Sequence, residues 1–96
     1  MFKNSKFIIV DDRLYLGRVD YHKDLLLFED KSSVKGGGWF MQDSKTITFY
    51  GSSEDFGKAN QSDVEKCIED KKIFWFGNHN ISDKFDFLYK KETESV

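Results

Sequence analysis

The apolar residues of this chain come in runs of four or fewer, and this limits the elements that it can form. Such a run suits a strand, whereas a helix that spans a bilayer needs about 20 apolar residues. Residues 6–10 predict a buried strand that ends at Asp11 and Asp12. Residues 46–50 alternate between polar and apolar side chains and give the clearest strand. We therefore expect several short strands and no membrane-spanning segment.

Further segments extend this pattern. Residues 14–20 alternate loosely and predict a second strand, joined to the first by a tight turn at residues 11–13. Ile73 and the aromatic residues 74–76 predict another strand, whose aromatic side chains we expect in the core. Residues 85–89 fit a strand or a helix, and we favour the strand. Residues 25–28 show neither period, so one turn of helix and a strand both stay open.

One helix is indicated by its start signal. Ser62 and Glu65 have the spacing of a capping box, with Ser62 as the N-cap residue. Val64, Cys67 and Ile68 follow at the spacing of one apolar helix face. Cys67 is the only cysteine, so no intramolecular disulfide can form. We expect this thiol to be an inert, buried, small hydrophobic group.

Glycine marks the other special points of the chain. Residues 36–38 are three consecutive glycines, which indicate a bulge or a place where another backbone comes close. Residues 42–45 predict a hairpin turn that joins the segment at residues 39–41, which follows the glycines, to the strand at 46–50. Residues 51–57 form a loop bounded by glycines, residues 29–33 are expected to be a polar loop, and the last residues should fray.

Together these elements predict an α+β fold, a small mixed sheet of about five or six strands flanked by one or two helices. The 96 residues suffice for a single domain, which we assign to residues 1–96. With 39% hydrophobic and 33% charged residues, the composition is that of a globular chain.

Charge and targeting signals narrow the functional classes. The net charge is −2 and no basic patch is present, which disfavours nucleic-acid binding. The sequence starts without the long apolar region of a signal peptide. We expect a cytoplasmic monomer or weak dimer that binds neither nucleic acid nor membrane.

Three segments stand in a suggestive order: Tyr21-His22-Lys23-Asp24, the glycines at 36–38, and the strand and loop at 47–57. They resemble the Tyr-His-x-Asp segment, the triple glycine, and the strand-Tyr-Gly-x-Ser-x-x-aromatic-Gly loop of the Janus/Ocnus family of protein-histidine phosphatases. The resemblance runs from about Lys6 to Asn80 and implies a phosphohistidine-phosphatase-like fold.

The resemblance implies that His22 is a general base that activates water against a phosphohistidine or another phosphoramidate of a protein substrate. It implies no cofactor and no metal ion. Histidine suits this role because it exchanges a proton near neutral pH. Glycine-rich loops also supply backbone N–H donors to anions. The substrate-binding residues predicted on this basis are Lys6, Tyr21, Lys23, Ser53, Glu54 and Asp55.

Simpler interpretations stay open for each part. His22 can be a turn histidine, Lys6 a solvated lysine at a sheet edge, and residues 51–57 a plain turn. Glu54 and Asp55 would repel a phosphate if their side chains face the site, but not if they face solvent. A catalytically inactive protein-binding module on the same fold is therefore the alternative function. An inhibitor-like protein is a third, for which the sequence offers no motif.

Overall fold

A computed structural model describes residues 5–26, 30–77 and 79–90. These residues form seven strands, one α-helix and two 3₁₀ helices, at His22–Leu25 and Lys31–Ser33. The other elements, in chain order, are β1 (Ser5–Val10), β2 (Arg13–Arg18), β3 (Val34–Asp43), β4 (Thr46–Tyr50), α1 (Gln61–Glu69), β5 (Ile73–Trp75), β6 (His79–Asn80) and β7 (Asp86–Tyr89).

The α+β class is confirmed, but the expected strand number is too low. All seven strands join one sheet in the order β6-β5-β2-β1-β3-β4-β7. The pairs β2–β5 and β4–β7 are parallel and the other pairs are antiparallel, so the sheet is mixed as predicted. The strand that sequence patterns miss is β6, because two residues are too few to show a period.

The two faces of the sheet are covered differently. All six residues of β1 are buried, because this strand lies at the centre of the sheet with cover on both sides. Phe7 and Ile9 belong to the core cluster that includes Val64 of α1. Ile8 and Val10 belong to a smaller cluster on the other face, which includes Leu25 of the first 3₁₀ helix. Lys6 shares this second face with Ile8, since strand side chains alternate.

The three glycines lie inside β3, and both of the expected reasons for them hold. The pairing of β1 with β3 shifts between Ile9 and Val10, which is an irregularity of the bulge type. The backbone of residues 57–59 also passes alongside, since the Gly37 N–H donates to the Gly57 carbonyl at 3.0 Å. A Cβ on Gly36 would lie 2.7 Å from the Ala59 Cα, and the positive φ of 145° disfavours other residues as well.

The helix begins earlier than the capping-box pattern predicts, and Ser62 is not its N-cap residue. The N-cap is Asn60, whose side chain accepts a hydrogen bond from the Ser62 N–H at 3.3 Å. Asparagine caps helices as well as serine does, and Asn60, two residues before Ser62, is the N-cap residue here. The prediction for Cys67 is confirmed: the side chain is buried, and burial raises the pKa of its thiol to about 11.

Other local predictions have mixed outcomes. The strand at 85–89 is confirmed as β7, and the hairpin between β3 and β4 forms as expected. The aromatic strand β5 is confirmed, but its expected burial is only partial: Phe74 and Trp75 are half-buried and Phe76 is 43% exposed. β5 has only the short β6 on its outer side, so its rings lack full cover.

Two connecting segments depart from a plain loop. Residues 25 and 26 continue the helical turn at His22–Leu25, while the rest of the ambiguous segment lies outside the described residues. The segment expected to be a polar loop contains the 3₁₀ helix Lys31–Ser33, capped by the Asp30 side chain. Within the described ranges, no helix is long and apolar enough to cross a bilayer. The predicted fraying end, residues 92–96, lies outside the described residues.

Candidate active site

A cavity of about 390 Å³ opens on the face of the sheet that carries the first 3₁₀ helix. It lies where β1, β3, the 3₁₀ helix and the loop after β4 meet. The residues that line it are Lys6, Asp20, Tyr21, His22, Trp39, Glu54 and Asp55.

The cavity brings together most of the predicted site. Five of the seven predicted residues line it, whereas Ser53 and Lys23 do not. Asp20 and Trp39 are the lining residues that sequence reasoning misses. Each stands next to a motif, Asp20 directly before Tyr21 and Trp39 directly after the glycines, and this adjacency is the signal that could have found them.

His22 lies at the bottom of the cavity with only 4% of its surface exposed. Its Nε2 is 2.7 Å from the Gly38 carbonyl oxygen. Because a carbonyl can only accept a hydrogen bond, Nε2 carries the proton and donates, and Nδ1 of the neutral ring has the lone pair. Among the described residues, Nδ1 has no hydrogen-bond partner. His22 is therefore arranged as a base whose free nitrogen is Nδ1.

The electrostatic surroundings of His22 favour its neutral form. Burial is the largest effect and lowers the pKa of the imidazole, while the hydrogen bond to Gly38 raises it. The positive charge of Lys6 lowers the pKa further, and the negative charges of Asp55 and Glu54 oppose this. The net shift is downward from the ordinary value of 6.5, so the ring is neutral at pH 7.

Hydrogen bonds within the Tyr-His-x-Asp segment fix the position of His22. The Tyr21 backbone N–H donates to the Asp24 carboxylate at 3.1 Å, and the Asp24 N–H donates to the Tyr21 carbonyl at 3.0 Å. These two bonds close the turn that carries His22. Gly37 lies beneath the ring: a Cβ at that position would be 3.3 Å from the His22 Cδ2 and 2.5 Å from the Phe7 carbonyl oxygen. The missing side chain leaves room for the imidazole.

Lys6 is not a solvated lysine at the sheet edge, as its sequence context alone would indicate. It lies on the central strand and is only 6% exposed. Its Nζ donates to the Val19 carbonyl oxygen at 3.2 Å and lies 4.3 Å from the centroid of the Trp39 ring. The same ring meets His22 edge to face at 5.8 Å. Trp39 thus contacts both the buried ammonium and the candidate base.

Ser53 holds the loop after β4 rather than lining the cavity. Its Oγ accepts hydrogen bonds from the N–H groups of Asp55 at 3.2 Å and Phe56 at 3.1 Å. The Ser53 and Gly57 backbones also exchange N–H···O bonds, at 3.2 and 2.9 Å. Four N–H groups of the loop are therefore used inside it and do not form the expected anion nest.

Glu54 and Asp55 of the same loop line the cavity, and their negative charges act on His22. The two carboxylates are therefore close enough to the site to oppose a phosphate. With Asp20, they place three carboxylates around one ammonium and a neutral imidazole. Lys23 adds no charge to the lining, because it lies outside with its Nζ 5.4 Å from the centroid of the Tyr21 ring. The lining as a whole is acidic.

Metal ligation has no clear basis in this part of the molecule. In the portion of the chain that the structure describes, no three or more His, Cys, Asp or Glu side chains are arranged to hold a metal ion. The residues that line the cavity carry an imidazole, an ammonium, three carboxylates, the Tyr21 hydroxyl and the Trp39 indole N–H.

No protein-family model matches this chain, and no curated protein matches it significantly.

Proposed function

We propose that this chain is a metal-independent phosphatase that hydrolyses phosphohistidine or another phosphoramidate, with His22 as general base. The observation that carries the proposal is the state of His22. Its proton lies on Nε2 in a 2.7 Å hydrogen bond to Gly38, and Nδ1 is left without a partner among the described residues. A neutral, oriented imidazole beside an ammonium group is what a base-assisted attack of water on a phosphoryl group requires.

The proposed reaction uses one water molecule. Nδ1 of His22 accepts a proton from the water as its oxygen bonds to phosphorus and the phosphorus–nitrogen bond of the substrate breaks. The proton then passes from His22 to the leaving nitrogen or to solvent, which restores the neutral ring. The Lys6 ammonium, buried beside the imidazole, stabilises negative charge on the phosphoryl oxygens.

The family resemblance, on which the site residues were predicted, also supports this proposal. The segments that carry it are far apart in the sequence, yet residues from them meet at the cavity: Lys6 of β1, Tyr21 and His22 of the Tyr-His-x-Asp segment, and Glu54 and Asp55 of the loop. The glycine segment supplies the carbonyl of Gly38 that orients the ring. If the resemblance of these segments were due to chance, there would be no reason for their residues to line the same cavity.

The test is the release of phosphate from a phosphohistidine-bearing peptide in the presence of a metal chelator. His22→Gln is the informative variant, because an amide nitrogen can still donate to the Gly38 carbonyl while the base at Nδ1 is lost. We expect phosphate release to fall by about 10²–10⁴-fold. His79→Gln is the matched control, since His79 is exposed on β6 and distant from the cavity lining, and it should keep wild-type activity.

The alternative function, a catalytically inactive protein-binding module, is favoured by a different observation. Glu54 and Asp55 line the cavity, and the loop N–H groups that would bind a phosphate donate within the loop. This alternative predicts no phosphate release by a folded wild-type chain. It also predicts that binding of a partner protein is unchanged in His22→Gln. Absence of phosphate release by the folded wild-type chain would overturn the catalytic proposal.

A further inference from the structure

We propose that the carboxylates of the cavity select a substrate that carries a lysine or arginine side chain next to its phosphoryl group. The proposal deepens the proposed function and rests on it for turnover, but its binding component can be measured without turnover. It names Asp20, Glu54 and Asp55 as specificity-determining residues.

The charges of the cavity are arranged by depth. Lys6 and His22 are buried at the bottom, at 6% and 4% exposure. Asp20, Glu54 and Asp55 are exposed residues that line the same cavity, so they surround its mouth. If the phosphoryl group of a substrate lies at the bottom of the cavity, the neighbouring groups of that substrate therefore lie beside the carboxylates at the mouth.

The two carboxylates of the loop are available to a ligand. Among residues 5–26, 30–77 and 79–90, the side chains of Glu54 and Asp55 form no ion pair and no hydrogen bond. Their backbone is nevertheless fixed, because the Ser53 hydroxyl oxygen accepts bonds from Asp55 and Phe56. Fixed and unneutralised carboxylates favour a cationic partner without the cost of ordering the loop.

Charge balance favours a substrate with a cation beside its phosphoryl group. A phosphoryl group brings negative charge into a lining of three carboxylates and one ammonium, so a bare phosphate is repelled. A lysine or arginine beside the phosphoryl group offsets this repulsion. The ring of Tyr21, 61% exposed at the same rim, adds an aromatic surface of the kind that contacts ammonium and guanidinium groups.

The experiment compares two peptides with the same phosphohistidine, one flanked by lysine and arginine and the other by glutamate and aspartate. At low salt, we expect the wild type to prefer the basic peptide by about tenfold or more in kcat/KM, and 0.2 M salt should reduce this preference. In Glu54→Gln/Asp55→Asn, kcat/KM should fall for the basic peptide and rise for the acidic one. Asp20→Asn should act in the same direction.

A matched control separates local from overall charge. Glu65→Gln/Glu69→Gln removes two exposed carboxylates from α1, which packs on the opposite face of the sheet. This variant should retain the wild-type preference. Equal loss of preference in both double variants would overturn the proposal, because the effect would then follow net charge alone.

A binding measurement distinguishes failure of this inference from failure of the proposed function. Titration calorimetry with unphosphorylated forms of the two peptides should show tighter binding of the basic one, lost in Glu54→Gln/Asp55→Asn. If no phosphate is released but this pattern holds, the phosphatase fails and the cationic specificity stands. If phosphate is released at equal rates from both peptides, the phosphatase stands and the specificity is overturned.

Discussion

The two faces of the six-residue strand β1 are covered by different elements and bury different kinds of side chain. On one face Phe7 and Ile9 pack beneath α1 in a core cluster of apolar side chains. On the other face Ile8 and Val10 pack beneath a 3₁₀ helix of four residues, and Lys6 and His22 are buried at the end of this packing. Phe7 and Ile9 have no exposed surface beneath α1, whereas the short helix leaves a cavity at one end of its face.

This difference teaches how a small chain can contain a buried polar site. Burying an ammonium and an imidazole costs stability unless partners are provided. Here the partners are backbone carbonyls, Val19 for Lys6 and Gly38 for His22. The face beneath α1 has the larger apolar cluster and should therefore supply most of the stability. The other face can then contain polar groups that reduce stability but are available for chemistry.

The strongest test of this comparison is Phe7→Ala. Phe7 is fully buried on the α1 face and meets Phe49 edge to face at 5.0 Å. We expect its loss to lower the free energy of unfolding by about 3–5 kcal/mol, through lost burial and the cavity left behind. Urea denaturation followed by circular dichroism measures this. A loss below about 1.5 kcal/mol would show that the α1 face is not the main source of stability.

Lys6→Met tests the opposite face, where we expect function to suffer more than stability. Methionine fills a similar volume and removes a buried charge, so the free energy of unfolding should change by less than about 2 kcal/mol. Phosphate release should fall by about tenfold or more, because the cation near the phosphoryl oxygens is lost. Lys35→Met, at an exposed position of β3, should change neither quantity appreciably. A large loss of stability in Lys6→Met would identify Lys6 as a structural tie instead.

The sequence predicts the α+β class and most strands because their signals are local. The alternation at residues 46–50 depends only on neighbouring side chains, and it coincides with β4. The two-residue strand β6 forms by pairing with β5. Two residues are too few to show an alternation of polar and apolar side chains, so the sequence does not predict this strand. The exposure of Phe76 likewise depends on how little of the chain lies beyond β5.

The candidate site divides in the same way. His22 and Lys6 are found through motifs, but the burial of Lys6 follows from the central place of β1, which sequence spacing does not encode. The position of Glu54 and Asp55 at the cavity depends on the loop backbone, which the Ser53 side chain fixes by accepting two hydrogen bonds. A serine in a polar loop has several possible partners, and only the folded structure selects one.

Asn60→Ala tests the regular face at the start of its helix. Because the Asn60 side chain caps α1, its removal should lower the free energy of unfolding by about 1 kcal/mol. Ser62→Ala is the matched comparison, and we expect a loss of at most about half as much, since Ser62 is already inside the helix. Thermal or urea unfolding distinguishes the two. The reverse order would restore Ser62 as the N-cap residue.

The smallest expected effect lies in the pH dependence of the cavity face. The pKa of His22 is lowered in the folded chain, mainly by burial, so below its ordinary value of 6.5 the unfolded chain binds more protons at this position. The contribution of His22 to stability is therefore fully present above pH 6.5 and is lost as pH falls from 6.5 through the folded-state pKa. Urea unfolding at pH 7.5 and pH 5 should show a larger acid loss for wild type than for His22→Gln. His79→Gln, which removes an exposed histidine, should follow the wild type. Equal losses in all three proteins would mean that His22 is not held neutral by its surroundings, and the cavity face would then lose the feature that makes it different from the face beneath α1.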